Sequence, residues 1–246
     1  MLFVIFLFGI CIGSFLNVCI YRIPLKQAIV KLPSHCMSCG RQLKWYELIP
    51  VFSFLIQGGK CRNCKTRLSV QYPIIELLNG LLYLIIFTIY GLTIETAIYS
   101  LLSSVLIVIS VIDWRAFEIP IGCNIFILCL GLVRIITDLP HWITYVIGFF
   151  AISTVLYLIN IFSKGRAIGG GDVKLMAAAG LVIGWQNIIL ALILGSVTGS
   201  VIHIIRMKVS GENNRLAFGP YLAVGILISA LFGNQIISLY LSYLFG

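Results

Sequence analysis

Long, uninterrupted apolar runs constrain this chain more than any motif does. They cover residues 2–20, 73–91, 94–112, 120–137, 141–162, 172–186, 187–206 and 219–245. A helix that crosses a bilayer needs roughly 20 mainly apolar residues. With 60% hydrophobic and 10% charged residues, a soluble domain of this length could not hide its apolar surface. The runs are continuous rather than alternating, which excludes a barrel. The expected fold is therefore an all-α polytopic membrane protein with about eight transmembrane helices. The sixth run is short, and Gly233-Asn234-Gln235 is expected to end or break the eighth.

The net charge of +9 would suggest nucleic acid in a soluble domain. Here it follows topology. Sixteen of the seventeen basic residues fall in the segment from Arg22 to Tyr72, at Arg115, around Lys164, or in the loop that holds Arg206 and Arg215; only Arg134 lies elsewhere. Lys and Arg mark cytoplasmic loops. That places these four regions in the cytoplasm and both termini outside, and leaves the lipid bilayer, not nucleic acid, as the partner. The apolar start has no basic segment before it and no small-residue cleavage site after it, so a cleaved signal is not expected.

Only the segment after the first span, residues 21–72, is long and polar enough for a small domain. Domains of that size commonly need a metal or a covalent staple. Cys36-Met37-Ser38-Cys39 and Cys61-Arg62-Asn63-Cys64 are two C-x2-C knuckles, the four-cysteine pattern of a zinc ribbon. Each knuckle turns two thiolates toward one ion, and two knuckles close a tetrahedron that leaves no position for water. The metal would be structural. Paired disulfides or redox sites are the alternative, disfavoured in a reducing cytoplasm. Cys11, Cys19, Cys123 and Cys129 lie in apolar runs and read as packing residues. His35, His141 and His203 form no spacing motif.

Carboxylates at the edge of apolar spans are expensive and point to function. Asp113 closes the third span and Asp172 opens the sixth, behind Gly169-Gly170-Gly171. Both fall at the same membrane face. Two carboxylates that share a site share one proton, the arrangement of an aspartic protease. The glycines are expected to supply unusual φ values and close backbone approach. Asp172 also suits a helix cap. Glu95 and Asp138 fall on the outer side. Glu212 sits in a polar loop, and Glu47, Glu76 and Glu118 suit pairing with basic groups. Paired intramembrane acids also occur in transporters, but these lie at the edge and not at the midplane. An inactive zinc-bearing assembly protein is the other alternative.

Several pieces together resemble the type IV prepilin peptidases, also called prepilin leader peptidase/N-methyltransferases. They are Gly13-Ser14-Phe15-Leu16-Asn17-Val18 with Arg22-Ile23-Pro24, the two cysteine pairs, Leu48-Ile49-Pro50 and Tyr72-Pro73 with Glu76. Asp113 with Ile119-Pro120, Gly169 through Lys174, and Phe218-Gly219-Pro220-Tyr221 complete the set. The resemblance implies Asp113 and Asp172 as the catalytic pair and Cys36, Cys39, Cys61 and Cys64 as metal ligands. It implies cleavage of basic leaders from prepilins and pseudopilins at the cytoplasmic face of the bacterial inner membrane. It also implies methylation of the new N-terminus with S-adenosylmethionine. No glycine-rich nucleotide fingerprint is present, so methyl transfer rests on the resemblance; Asn17, Arg22, Glu47 and Glu76 are candidates for that site. The expected division is a first span (1–20), the cysteine domain (21–72) and a seven-span peptidase domain (73–246).

Overall fold

The computed structural model describes residues 1–30, 33–166, 168–210 and 216–245; Glu212 and Arg215 lie outside them. Every regular element among the described residues is helical: α1 (Leu2–Arg22), α2 (Phe52–Ile56), α3 (Gln71–Tyr90), α4 (Ile94–Ala116), α5 (Ile121–Thr137), α6 (Trp142–Ala151), α7 (Ser153–Phe162), α8 (Gly170–Ile183), α9 (Trp185–Ser210) and α10 (Gly219–Phe245). The chain forms two compact units, Met1–Val108 and Ile109–Gly246, which divide inside α4.

Among the described residues six helical segments are long and apolar enough to cross a membrane: Leu2–Arg22, Gln71–Tyr90, Ile94–Ala116, Leu139–Phe162, Trp185–Val209 and Gly219–Leu244. The other two expected spans are shorter helices, α5 with 17 residues and α8 with 14. The 141–162 span is two helices, α6 and α7, jointed at Ile152. The expected break at Gly233 does not occur, and α10 runs through it. Gly233 is there because α9 passes close by: a Cβ on it would fall within 2.3 Å of Asn187 Oδ1. Asn234 accepts a hydrogen bond from the Asn187 amide at 3.3 Å, so the polar residues face a partner helix instead of ending their own.

In the first unit α1 and α3 run antiparallel along a glycine seam. A Cβ on Gly9 would meet Gly80 Cα at 2.8 Å, and one on Gly13 would meet Glu76 Cα at 2.7 Å. Small residues let apolar helices close to backbone contact, where dispersion and buried hydrogen bonds take over from the hydrophobic effect. Asn79, fully buried, donates to the Gly9 carbonyl at 2.7 Å and accepts from Ser104 at 2.8 Å; Ser104 also bonds Tyr83 at 3.0 Å. This chain of bonds ties α1, α3 and the first half of α4 together.

In the second unit α8 is the central element. All residues from Leu175 to Ile183 are buried. A helix that is apolar on every side belongs in an interior, and α8 is enclosed by α5, α6, α7, α9 and α10. Gly148 of α6 and Gly180 of α8 are in backbone contact; a Cβ on either would overlap the other's carbonyl oxygen. At 14 residues α8 is about 21 Å long, short of the ~30 Å hydrocarbon core. It ends at Gly184 (φ +81), and α9 starts at the next residue.

Candidate functional site

Asp113 lies in the last turn of α4 and is 6% exposed. Its main-chain carbonyl accepts the Phe117 N–H at 2.9 Å, and Phe117 takes a left-handed conformation (φ +54) that stops the helix. Its Oδ2 accepts the main-chain N–H of Gly219 at 2.8 Å, at the start of α10. Pro220 follows Gly219, where the missing N–H of the ring is harmless at a helix start. The contact is only as close as glycine permits: a Cβ on Gly219 would sit 2.7 Å from Asp113 Oδ2.

Asp172 is the third residue of α8 and is half-buried. Its Oδ2 reaches back to accept the Gly169 N–H at 3.3 Å, as a capping residue does. The preceding glycines do not take the unusual φ values expected of them; none has positive φ, and Gly169 is extended. Their role is space. A Cβ on Gly171 would lie 3.1 Å from Ile119 Cβ, so α8 starts directly against the turn that leads into α5. The two carboxylates are near enough for the charge of Asp113 to act on Asp172. Neither has a Lys or Arg ion pair among the described residues.

In the first unit the four knuckle sulfurs converge, with all ligand atoms within 4.8 Å of one another. Cys36 Sγ and Cys64 Sγ are 3.8 Å apart. A tetrahedron with metal–sulfur bonds of about 2.3 Å has an edge of about 3.8 Å, so the donor set fits a four-thiolate ion such as zinc. The two loops are copies of one another. Cys36 and Cys61 donate N–H bonds to Arg41 and Thr66, and Gly40 and Lys65 donate back to Cys36 and Cys61. Gly40 and Lys65, four residues after the first cysteine of each loop, are both left-handed (φ +68 and +59). Main-chain N–H groups of Arg41 and Cys64 hold the Cys39 and Cys61 thiols below the ordinary range, and the Thr66 hydroxyl does so for Cys64. At these three cysteines this favours the thiolate that a metal requires. Cys36 goes the other way: the main-chain N–H groups of Cys39 and Ser38 lower its thiol, but burial and the neighbouring thiols outweigh them.

Beside the knuckles is a cavity of about 370 Å³, within the size range of small-molecule sites. Asn17, Arg22, Glu47 and Glu76 all line it and all are buried. Their partners separate them. Arg22 donates to the carbonyls of Ala28 (3.2 Å), Ile29 (2.8 Å) and Pro33 (3.3 Å), a clamp on the following loop. Glu47 is committed to the Lys44 N–H and to Arg41 at 2.6 Å, and these bonds hold its carboxyl below the usual range. Asn17 binds the Tyr72 carbonyl and Gln71, joining α1 to α3. Glu76 accepts the Val51 N–H at 2.7 Å.

Val51 was not singled out from sequence. Its φ of +62 and ψ of −56, with Phe52 N–H bonded to the Pro50 carbonyl at 2.6 Å, make a strained γ-turn around a β-branched residue. The neighbouring Leu48-Ile49-Pro50 stretch was the available signal. Gly219 was also missed as a site residue, although the Phe218–Tyr221 stretch was noted. Among the described residues the His35 side chain bonds locally, to the Pro33 carbonyl.

The description Bacterial Peptidase A24 N-terminal domain matches residues 7–90, and that of the Type IV leader peptidase family matches residues 100–204. Among curated relatives named prepilin leader peptidase/N-methyltransferase, that of Bacillus subtilis (strain 168) is 33% identical over 249 residues, covering 100% of both chains. The relative from Pseudomonas putida is 31% identical over 93% of this chain and 89% of its own, and that from Pseudomonas aeruginosa 31% over 96% and 92%. No solved structure matches the chain. Both halves of the chain therefore point the same way, and the chain belongs to the type IV leader peptidase family, the prepilin leader peptidase/N-methyltransferases.

Proposed function

We propose that this chain is a multi-pass aspartic endopeptidase of the bacterial inner membrane that removes the basic leader of prepilins and pseudopilins at the cytoplasmic face, then N-methylates the new terminus. The observation that carries the first activity is a pair of carboxylates, Asp113 and Asp172, that feel one another's charge and have no Lys or Arg ion pair among the described residues. Two such groups hold one proton between them. The ionised member draws a proton from water as it attacks the scissile carbonyl, and the protonated member donates to the carbonyl oxygen. The Gly219 N–H, bonded to Asp113, fixes one carboxylate in place. In this reading all eight apolar segments span, both termini lie outside, and short α8 leaves Asp172 recessed from the surface. The chain then divides into a first span (1–20), a cytoplasmic metal-binding domain (21–72) and a seven-span peptidase domain (73–246).

The second activity is assigned to the cavity in the first unit, from the names of the relatives and from its chemistry. S-adenosylmethionine supplies an electrophilic methyl on a positive sulfonium. Glu76, whose bond comes from a neutral donor, carries negative charge suited to a cation, whereas Glu47 is already neutralised by Arg41. Arg22 and Asn17 shape the wall. Zinc on the four cysteines holds the loops that form the rest.

The test is leader cleavage of a prepilin in membranes containing wild type, Asp113→Asn or Asp172→Asn, with the mature N-terminus weighed by mass spectrometry. Cleavage by wild type and loss in both variants is expected, with a methyl group on the product. Cleavage that survives either substitution would remove the aspartate pair from the reaction.

A further inference from the structure

One buried side chain in the second unit has no structural employment. Asn124, in the first turn of α5, is 6% exposed, and neither its amide nitrogen nor its amide oxygen has a hydrogen-bond partner. The other buried polar atoms left unbonded among the described residues are single atoms; Asn124 alone has both ends of an amide unbonded. Leaving a buried amide unpaired is destabilising. Leucine or methionine would fill the same space without that cost, so the group is retained against stability.

Its place in the fold indicates why. Asn124, Ile127 and Gly131 are buried at helical spacing on α5. Gly131 touches Leu181 of α8, and Ile119, just before α5, touches Gly171. The two helices therefore run parallel, and Asn124 stands level with residues 174–176, about one turn deeper than Asp172. It is on the α5–α8 seam, further along α8 than the start of that helix, which carries Asp172.

We propose that Asn124 is a substrate-binding residue of the peptidase: its amide pairs with the main chain of the extended peptide at the scissile region. The proposal rests on the peptidase reading above. A peptide drawn beneath the membrane surface brings N–H and C=O groups that no water satisfies, each costing several kcal/mol. A carboxamide carries both the acceptor and the donors that such a strand lacks. It reads backbone and not side chain. The unpaired state belongs to the free enzyme, and the bonds form on binding.

The test is Asn124→Leu, with two readouts. The expected thermal midpoint is equal to or above wild type, since an unpaired amide is replaced by an apolar group of similar size. The expected prepilin cleavage, measured over a range of substrate, falls about 10- to 100-fold, because peptide groups are left unpaired. In an Asp172→Asn background, which removes chemistry, the same substitution weakens prepilin capture. Wild-type cleavage by Asn124→Leu would overturn the proposal. So would a lowered thermal midpoint, which would make Asn124 a packing partner. Failure of wild type itself to cleave, or cleavage by Asp172→Asn, would instead bring down the peptidase reading.

Discussion

All four candidate sulfur ligands come from residues 36–64, on two loops that fold against themselves, whereas the aspartate pair takes its parts from α4, α8 and the start of α10. The first site is held by short-range main-chain bonds and sulfur chemistry. Its geometry survives wherever the loops go. The second has one local bond, the cap from Gly169 to Asp172, and is otherwise assembled over long range. Asp113 is anchored by a residue 106 positions away, and Asp172 is delivered by a helix whose position depends on every neighbour. A local site is robust to distant change and fails all at once when a ligand is lost. An assembled site is adjustable, and it is sensitive to single atoms far from the reacting groups.

That contrast can be broken at several points. The largest expected effect is at the cysteines. Cys36→Ser with Cys61→Ser should take bound metal from one zinc per chain to none, by elemental analysis, and expose residues 33–70 to protease. Leader cleavage should persist, because no sulfur ligand belongs to the second unit. Gly219→Ala should do the reverse: metal content stays at one, while the new Cβ, 2.7 Å from Asp113 Oδ2, displaces the carboxylate. Misplacement of about 1 Å costs on the order of 10²-fold in rate, and cleavage at the wild-type rate would show that the anchor is not needed.

Smaller changes sharpen the comparison inside the sulfur site. At Gly40 nothing lies within 4 Å of an added Cβ, so Gly40→Ala tests the left-handed backbone alone. It should lower stability by about 1–2 kcal/mol, read from the denaturant midpoint of zinc release. Lys65→Gly, in the equivalent position, relieves the same strain and should be neutral or stabilising, by no more than about 1 kcal/mol. If both substitutions destabilise equally, the two loops are not equivalent.

The smallest effect is at Asp138, in the turn after α5, which accepts bonds from Tyr145 (2.6 Å) and His141 (2.8 Å). The Tyr145 hydroxyl, and then His141, hold its carboxyl below the usual range. A lowered carboxylate contributes stability above its unfolded value, near pH ~3.9, and loses it as pH falls through the folded value. Asp138→Asn should lower the thermal midpoint slightly at neutral pH, by about 1 kcal/mol. The difference should close under more acid conditions.

The same distinction decides what could be read from sequence. The C-x2-C pairs were legible because their chemistry is a matter of spacing. The long spans were legible because the bilayer sets their length. The aspartates stood out because charge at a span edge is costly, but Gly219 carries no such signature: a glycine before a proline reads as a helix start, and only the fold shows whose carboxylate its N–H meets. The shortness of α8 was legible as a short run, but its enclosure and the joint between α6 and α7 were not, for a related reason. Hydropathy reports that a residue avoids water, not whether lipid or protein replaces it, and α8 is enclosed by protein. Gly233 misled in the opposite direction, since a helix breaker by propensity serves here as a contact surface.

The bond from Gly219 to Asp113 also gives the enzyme an internal reporter. An amide proton bonded to a carboxylate resonates differently when that carboxylate takes up a proton. Four of the 23 glycines follow a phenylalanine: Gly9, Gly219, Gly233 and Gly246. Pairing carbonyl-labelled phenylalanine with nitrogen-labelled glycine would reduce the spectrum of the whole membrane protein to those four signals. One of them would follow the charge of Asp113 through a titration, and through the arrival of a peptide, without a substitution at either carboxylate.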